Sequence, residues 1–220
     1  MRHMTKQQFV YETLRDAILR CEFKPGERLN IGSLAARLEV SIVPIREALR
    51  LLESEGFIVN VAHVGATVAP VSHQSIVEIY TILEGLESVS TRVAVRLAKA
   101  EDYEELESLI AGMDDALEHE RADRWSELNS RFHLTIGRIS AMPMLGQMLQ
   151  RALSEWARVS RYLFNDVLLH RATVAQQEHR ELVARMKAGD LTGVEEIVRR
   201  HNQGALAAYA EYLELTQSTV

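Results

Sequence analysis

The chain has 220 residues, an apolar fraction of 47% and a formal net charge of −6. That length exceeds what one small domain needs, and the composition excludes a disordered or membrane-spanning protein: no apolar run approaches a bilayer span, and the N-terminus carries no signal-peptide core. A single cysteine, Cys21, excludes an internal disulfide and suits a reducing cytoplasm.

The charge is unevenly spread. Residues 1–71 carry 9 basic and 8 acidic side chains, and the remainder 16 and 23. This asymmetry favours a polyanionic partner at the N-terminal end only. Affinity there must come from local placement of arginines and from pairing two copies, not from bulk charge.

In chain order, Met1–Met4 carry no pattern, and disorder is expected there. Phe9, Val10, Leu14, Ala17, Ile18 and Leu19 mark a first helix running to about Cys21, where the cysteine packs, and Lys24-Pro25-Gly26 breaks it. Leu34, Ala35 and Leu38 form one apolar stripe, and Ile45, Ala48, Leu49 and Leu52 a second. Between them Glu39-Val40-Ser41 is a tight turn, with Ser41 placed to cap the second helix and Pro44 in its first turn. The spacing fits an ordinary helical hairpin as well as a helix-turn-helix. The following residues favour the latter. Glu55-Gly56 ends the helix, and the β-branched runs Phe57–Val61 and Ala66–Ala69 flank a turn ending at Gly65, which predicts a hairpin. A helix-turn-helix followed by a hairpin is a winged helix, whose second helix enters the major groove of DNA. Arg37 and Arg50 are candidate phosphate contacts or, equally, solvated surface residues.

After the linker Pro70–His73, six helical stretches are expected: about Ser75–Ala98, Tyr103–His119, Arg124–Ile139, Met144–Phe164, Thr173–Lys187 and Leu191–Leu215. The fold is therefore mainly α, with a winged helix over 1–71 and an all-α six-helix bundle over 72–220. In the bundle, His133 lies one turn from Asn129, His179 shares a face with Leu182, Val183 and Met186, and His201 shares one with Val194, Ile197, Val198 and Ala205. Three inward imidazoles completed by an oxygen and water suit zinc, nickel or a similar divalent ion, although each could equally be a hydrogen-bonded core residue. His63, His73, His119 and His170 have no partner spacing and read as surface residues, and His3 does not read as a ligand.

The sequences Lys24-Pro25-Gly26-Glu27-Arg28-Leu29, Leu34-Ala35, Pro44-Ile45-Arg46-Glu47-Ala48-Leu49 and Leu52-Glu53-Ser54-Glu55-Gly56, in this order, resemble the amino-terminal domain of GntR-family transcription regulators. Phe132-His133, Ser140-Ala141-Met142-Pro143, Glu178-His179 with Ala188-Gly189-Asp190, and Arg200-His201 resemble the FCD ligand-binding domain of the FadR-like branch, in its shorter VanR-like form. The resemblance implies a DNA-binding regulator, commonly a repressor. It would act as a homodimer on a pseudo-palindromic operator, under the control of a small molecule such as an organic acid. It also implies DNA contacts from Ser41, Arg46 and Gly65 and from the positions of Ile42 and Val43, where the family commonly has Arg and Thr. Aliphatic side chains there offer only apolar contact, for instance to a thymine methyl, so the operator should depart from the usual one. A metal on His133, His179 and His201 is implied as well, with Asn129 standing where Asp is usual. Leu83 stands where an Arg often holds an acidic effector, and Arg158 and Arg161 are the candidates to replace it. Three rivals remain: a metal sensor whose effector is the ion itself, a metal-dependent hydrolytic enzyme using the same histidines with Glu178, and a bundle that only dimerises, with inert histidines.

Overall fold

A computed structural model describes residues 5–217, with side chains described for 5–162 and 171–212. The expectations for residues 1–4 and for the side chain of His170 lie outside these. The chain separates into two compact units, Met1–Val71 and Ser72–Val220.

The first unit contains α1 (Lys6–Leu19), α2 (Ile31–Arg37), α3 (Ile42–Ser54), β1 (Ile58–Val61) and β2 (Gly65–Val68). Thr5 starts α1 by accepting the Gln8 N–H at 3.1 Å. Val10, Leu14, Ala17 and Ile18 form its buried face, whereas Phe9 stands 44% exposed. The helix stops at Leu19, short of the expected Cys21. Cys21 adopts a left-handed φ of 54° beyond the end and is half-buried. α3 ends through Gly56, whose φ of 87° lets the Gly56 N–H reach Glu53 O at 3.1 Å and the Phe57 N–H reach Leu52 O at 2.9 Å. The last carbonyls are thereby satisfied, and Phe57 turns into the core. The hairpin pairs Ile58 with Val68 and Val61 with Gly65. The Lys24–Leu29 segment runs beside it: Leu29 N–H donates to Ala66 O at 2.8 Å and Val68 N–H to Glu27 O at 2.9 Å. Leu14, Ile18, Ile45, Leu49, Leu52, Phe57 and Val68 meet in one core, each such side chain contributing about 1.5–3 kcal/mol by leaving water.

The second unit contains α4 (His73–Leu97), α5 (Ala100–Glu118), α6 (Ala122–Ile139), α7 (Pro143–Ala188) and α8 (Leu191–Gln217). The stretches expected as separate helices at 144–164 and 173–187 are one continuous helix of 46 residues. No Gly or Pro occurs between Gly146 and Gly189 to interrupt it. His73 opens α4 and does not belong to the linker. The buried face of α4 is Ile76, Tyr80, Leu83, Glu87, Ser90, Thr91 and Ala94. Ile79, Ile82, Leu86 and Val89, also apolar and at helical spacing, are only partly covered or exposed. α4 packs against α6, α7 and α8, while α5 packs against α6 and α7. α7 starts at Pro143, after Ala141 has turned the chain at φ 55°, and ends at Gly189 with φ 70°. Among the described residues, no helix is long and apolar enough to cross a membrane.

Candidate functional site

In the first unit the candidate surface is the start of α3. Ser41 is its N-cap residue, but its side chain makes no capping hydrogen bond. A capping oxygen accepts from the N–H of the second or third helical residue, and the third here is Pro44, which has none. One of the two possible donors is thus missing, the expected cap does not form, and the hydroxyl is left at the surface. Ile42 and Val43 follow, 48% and 67% exposed. Arg46 is exposed one turn further on. Arg50 lies 3.1 Å from Glu47, both well solvated, and Arg37 rests over the Phe23 ring at 6.0 Å. Gly65 closes the hairpin at φ 96°, with His63 at φ 63° in the turn where glycine is the usual residue.

In the second unit, α6, α7 and α8 bring three histidines together. His133 and His201 rings lie 5.4 Å apart, His133 and His179 also 5.4 Å, and His179 and His201 4.9 Å. One ring nitrogen from each falls within 4.8 Å of the others. His133 and His179 are buried and His201 nearly so. Each ring is held from behind. His133 Nδ1–H donates to Glu87 Oε1 at 3.0 Å and His201 Nδ1–H to Glu178 Oε2 at 2.8 Å. His179 Nδ1 lies 3.0 Å from Gln176 Oε1. The Gln176 amide nitrogen donates to Ile110 O and to Asp114 Oδ1, so its oxygen is the acceptor and His179 Nδ1 the donor. With Nδ1 engaged in this way, Nε2 is the nitrogen each ring has left to offer a ligand, as in carboxylate–histidine–metal arrangements. His179 Nε2 and Asn129 Oδ1 are buried with no hydrogen-bond partner. Three free imidazole nitrogens with an orphaned amide oxygen on the adjoining wall fit a divalent cation.

The electrostatics agree with that fit. Burial holds the His179 imidazole well below the usual histidine range, helped by the neighbouring His201 and His133, and burial also lowers His201. Neutral imidazoles are the ligand form. Burial by itself would push the Glu87 carboxyl up, but His133 and Asn202 more than offset it, and the group sits below the usual carboxylate range. Glu178 is lowered likewise, against burial, by hydrogen bonds from His201 and Arg171.

Beside the rings lies a cavity of about 30 Å³ whose walls include Leu83, Glu87, Asn129, His133, Arg171 and His201. Leu83 is therefore at the wall, but the two arginines expected to compensate for it are elsewhere. Arg158 is buried against Glu155, Nε to Oε2 at 3.2 Å, and Arg161 Nε donates to Asp123 at 2.8 Å. The arginine lining the cavity is Arg171. Periodicity across an unbroken α7 finds it, eight residues before His179 and on the same face. A helix begun at Thr173 leaves it out. Glu87 is hidden differently, as one acidic residue in a helix rich in polar positions.

Two family descriptions match: bacterial regulatory proteins of the gntR family over residues 6–68 and the FCD domain over residues 78–204. The chain is 29% identical over 194 residues to the HTH-type transcriptional regulator YdhC of Bacillus subtilis, spanning 87% of this chain and 85% of that protein. It is 28% identical over 208 residues to the HTH-type transcriptional repressor GlaR of Escherichia coli, spanning 87% and 90%. The solved structure of E. coli McbR/YncC superposes with a TM-score of 0.76 at 27% identity, covering 94% of this chain and 99% of that one.

Proposed function

Because the chain belongs to the bacterial GntR family of transcription regulators and carries an FCD domain, we propose that it is a ligand-responsive repressor. It binds a pseudo-palindromic operator as a homodimer and is controlled by a small organic acid beside a divalent metal ion. It is a regulator and not an enzyme. The observation that carries the effector half is the set of three histidines, each held through Nδ1, with the buried, orphaned Oδ1 of Asn129 beside them.

His133, His179 and His201 hold the ion, zinc or nickel, through nitrogen, and Asn129 supplies a neutral oxygen in place of a carboxylate. When bound, the ion supplies two positive charges and open coordination positions for an acidic effector. In the first unit, Ser41, Arg46, Gly65 and Arg37 contact the DNA backbone and bases, and Ile42 and Val43 supply an apolar contact in the major groove. The open start of α3, with its N–H groups free of a side-chain cap, suits a phosphate. Repression follows the function of relatives such as the repressor GlaR.

Support for the dimer comes from α4. Ile79, Ile82, Leu86, Val89 and Val93 alternate at three- and four-residue steps and remain partly covered or exposed, which is the spacing of a helix–helix seam. A second reading, that the ion itself is the effector, is favoured by one observation. A cavity of about 30 Å³ holds an ion and a few waters but no large metabolite.

Elemental analysis of purified full-length protein tests the metal. We expect about one divalent ion per chain, lost in the variant His133→Ala/His179→Ala/His201→Ala. Absence of metal after incubation with zinc and with nickel would remove the ion from the proposal.

A further inference from the structure

The cavity holds a cation whose donors are incompletely used. Arg171, 8% exposed, sits two helical turns before His179 on α7. Its Nη2 donates to Glu178 Oε2 at 2.6 Å and to the His201 carbonyl at 3.0 Å. Its Nε and Nη1 are buried with no hydrogen-bond partner. A guanidinium has five N–H protons and no acceptor, so three dry protons remain on a charged group. Burying them without a partner is costly, and an incoming anion relieves that cost.

Three features of the surroundings fit an anion. First, Glu178 does not depend on Arg171 alone, since Oε2 also accepts from His201 Nδ1 at 2.8 Å and Oε1 lies 3.7 Å from Arg200 Nε. Second, the other wall carboxylate, Glu87, has its oxygens turned onto His133 and Asn202 at 3.0 and 2.8 Å. Third, α8 presents bare backbone where the guanidinium lies. A Cβ on Gly204 would stand 3.1 Å from Nη2 and 3.4 Å from both Cζ and Nε. Tyr80, Leu83, Leu153 and Ala205 complete apolar walls, a surrounding in which a charged hydrogen bond is strong.

We infer that Arg171 is the anchor for the acid group of the effector, replacing from α7 the cation that Leu83 does not provide from α4. The inference rests on the proposal that this cavity is the effector site. The ligand is a small monocarboxylate. The cavity is small, about 30 Å³, which favours the shortest carboxylates, with acetate as the probe, over a sugar acid.

Isothermal titration of sodium acetate into zinc-loaded full-length protein, with sodium chloride as the control anion, tests this. The wild type binds acetate and not chloride. Arg171→Gln binds it about tenfold or more weakly while still taking up zinc in the wild-type stoichiometry. Gly204→Ala, which keeps the arginine but presses on it, weakens acetate binding in the same direction. Equal acetate affinity in the wild type and Arg171→Gln overturns the inference, as does failure of acetate to bind the zinc-loaded wild type. Tighter binding of inorganic phosphate than acetate overturns the monocarboxylate class. If the wild type takes up no zinc yet binds acetate through Arg171, the anchor stands and the metal proposal falls.

Discussion

Asn129 concentrates the chemistry of the histidine centre in one atom. Its Oδ1 is buried, unpaired and neutral, one helical turn from His133. A carboxylate there would add a full negative charge to a site whose other donors are uncharged imidazoles. Asn129→Asp is therefore expected to raise zinc affinity by about tenfold or more, read by competition with a chromophoric chelator. Glu87→Gln acts oppositely. It retains the shape but removes the charge behind His133, and zinc affinity should fall by about 10–100-fold. If both variants bind zinc as the wild type does, the ion is held elsewhere. The three histidines are legible in the sequence because each shares a face with aliphatic residues at helical spacing. Glu87 and Gln176 are not, because a residue that orients another declares itself only once two helices are packed, and Arg171 is lost only because the expected helix begins at Thr173. Ser41 shows the converse case: a good N-cap residue that makes no capping bond, with one of its two possible donors removed by Pro44, three positions on.

At the scale of elements, α3 and α7 differ in how their ends are defined. α3 is bounded by a proline-blocked cap and by Gly56 at φ 87°, where an added Cβ would have no neighbour within 4 Å. Gly56→Ala thus meets no steric obstacle and changes only backbone preference, at about 1–2 kcal/mol. The expected result is faster hydrogen exchange in the last turn of α3 with no change in the α4–α8 amides. Unchanged exchange would mean that the turn is set by Phe57 packing and not by the glycine. These boundaries are legible because glycine and proline mark them. The long α7 is not, because its middle contains residues such as Asn165 and Asp166 that read as a break. Continuity of packing on α6 and α8 outweighs their weak local preference. For α4, the helix is legible but its inward face is not. Five aliphatic residues on one stripe look like core, yet the buried stripe carries Tyr80, Glu87, Ser90 and Thr91.

At the scale of the whole molecule, that α4 stripe and the near-neutral first 71 residues bear on the same question. One DNA-binding unit with so little net charge has limited non-specific affinity, and two copies on adjacent half-sites would make up the difference. Leu86→Lys places a charge in the middle of the partly covered stripe. By sedimentation velocity it should convert a dimer to a monomer, with operator affinity falling sharply. A monomeric wild type, or a dimer that tolerates the lysine, would place the contact on another surface. Coupling between the two units further requires that metal and effector bind one arrangement of the protein better than another, since equal affinity for both shifts nothing.

The most direct test is operator affinity by fluorescence anisotropy, on a duplex selected by the full-length protein from a random pool, with and without zinc and acetate. The selected duplex should be an inverted repeat, and its affinity should change by about fivefold or more when both are present. The change should be absent from the variant His133→Ala/His179→Ala/His201→Ala. Identical affinity under all conditions would contradict ligand-controlled regulation, leaving a DNA-binding protein whose histidine centre has no part in it.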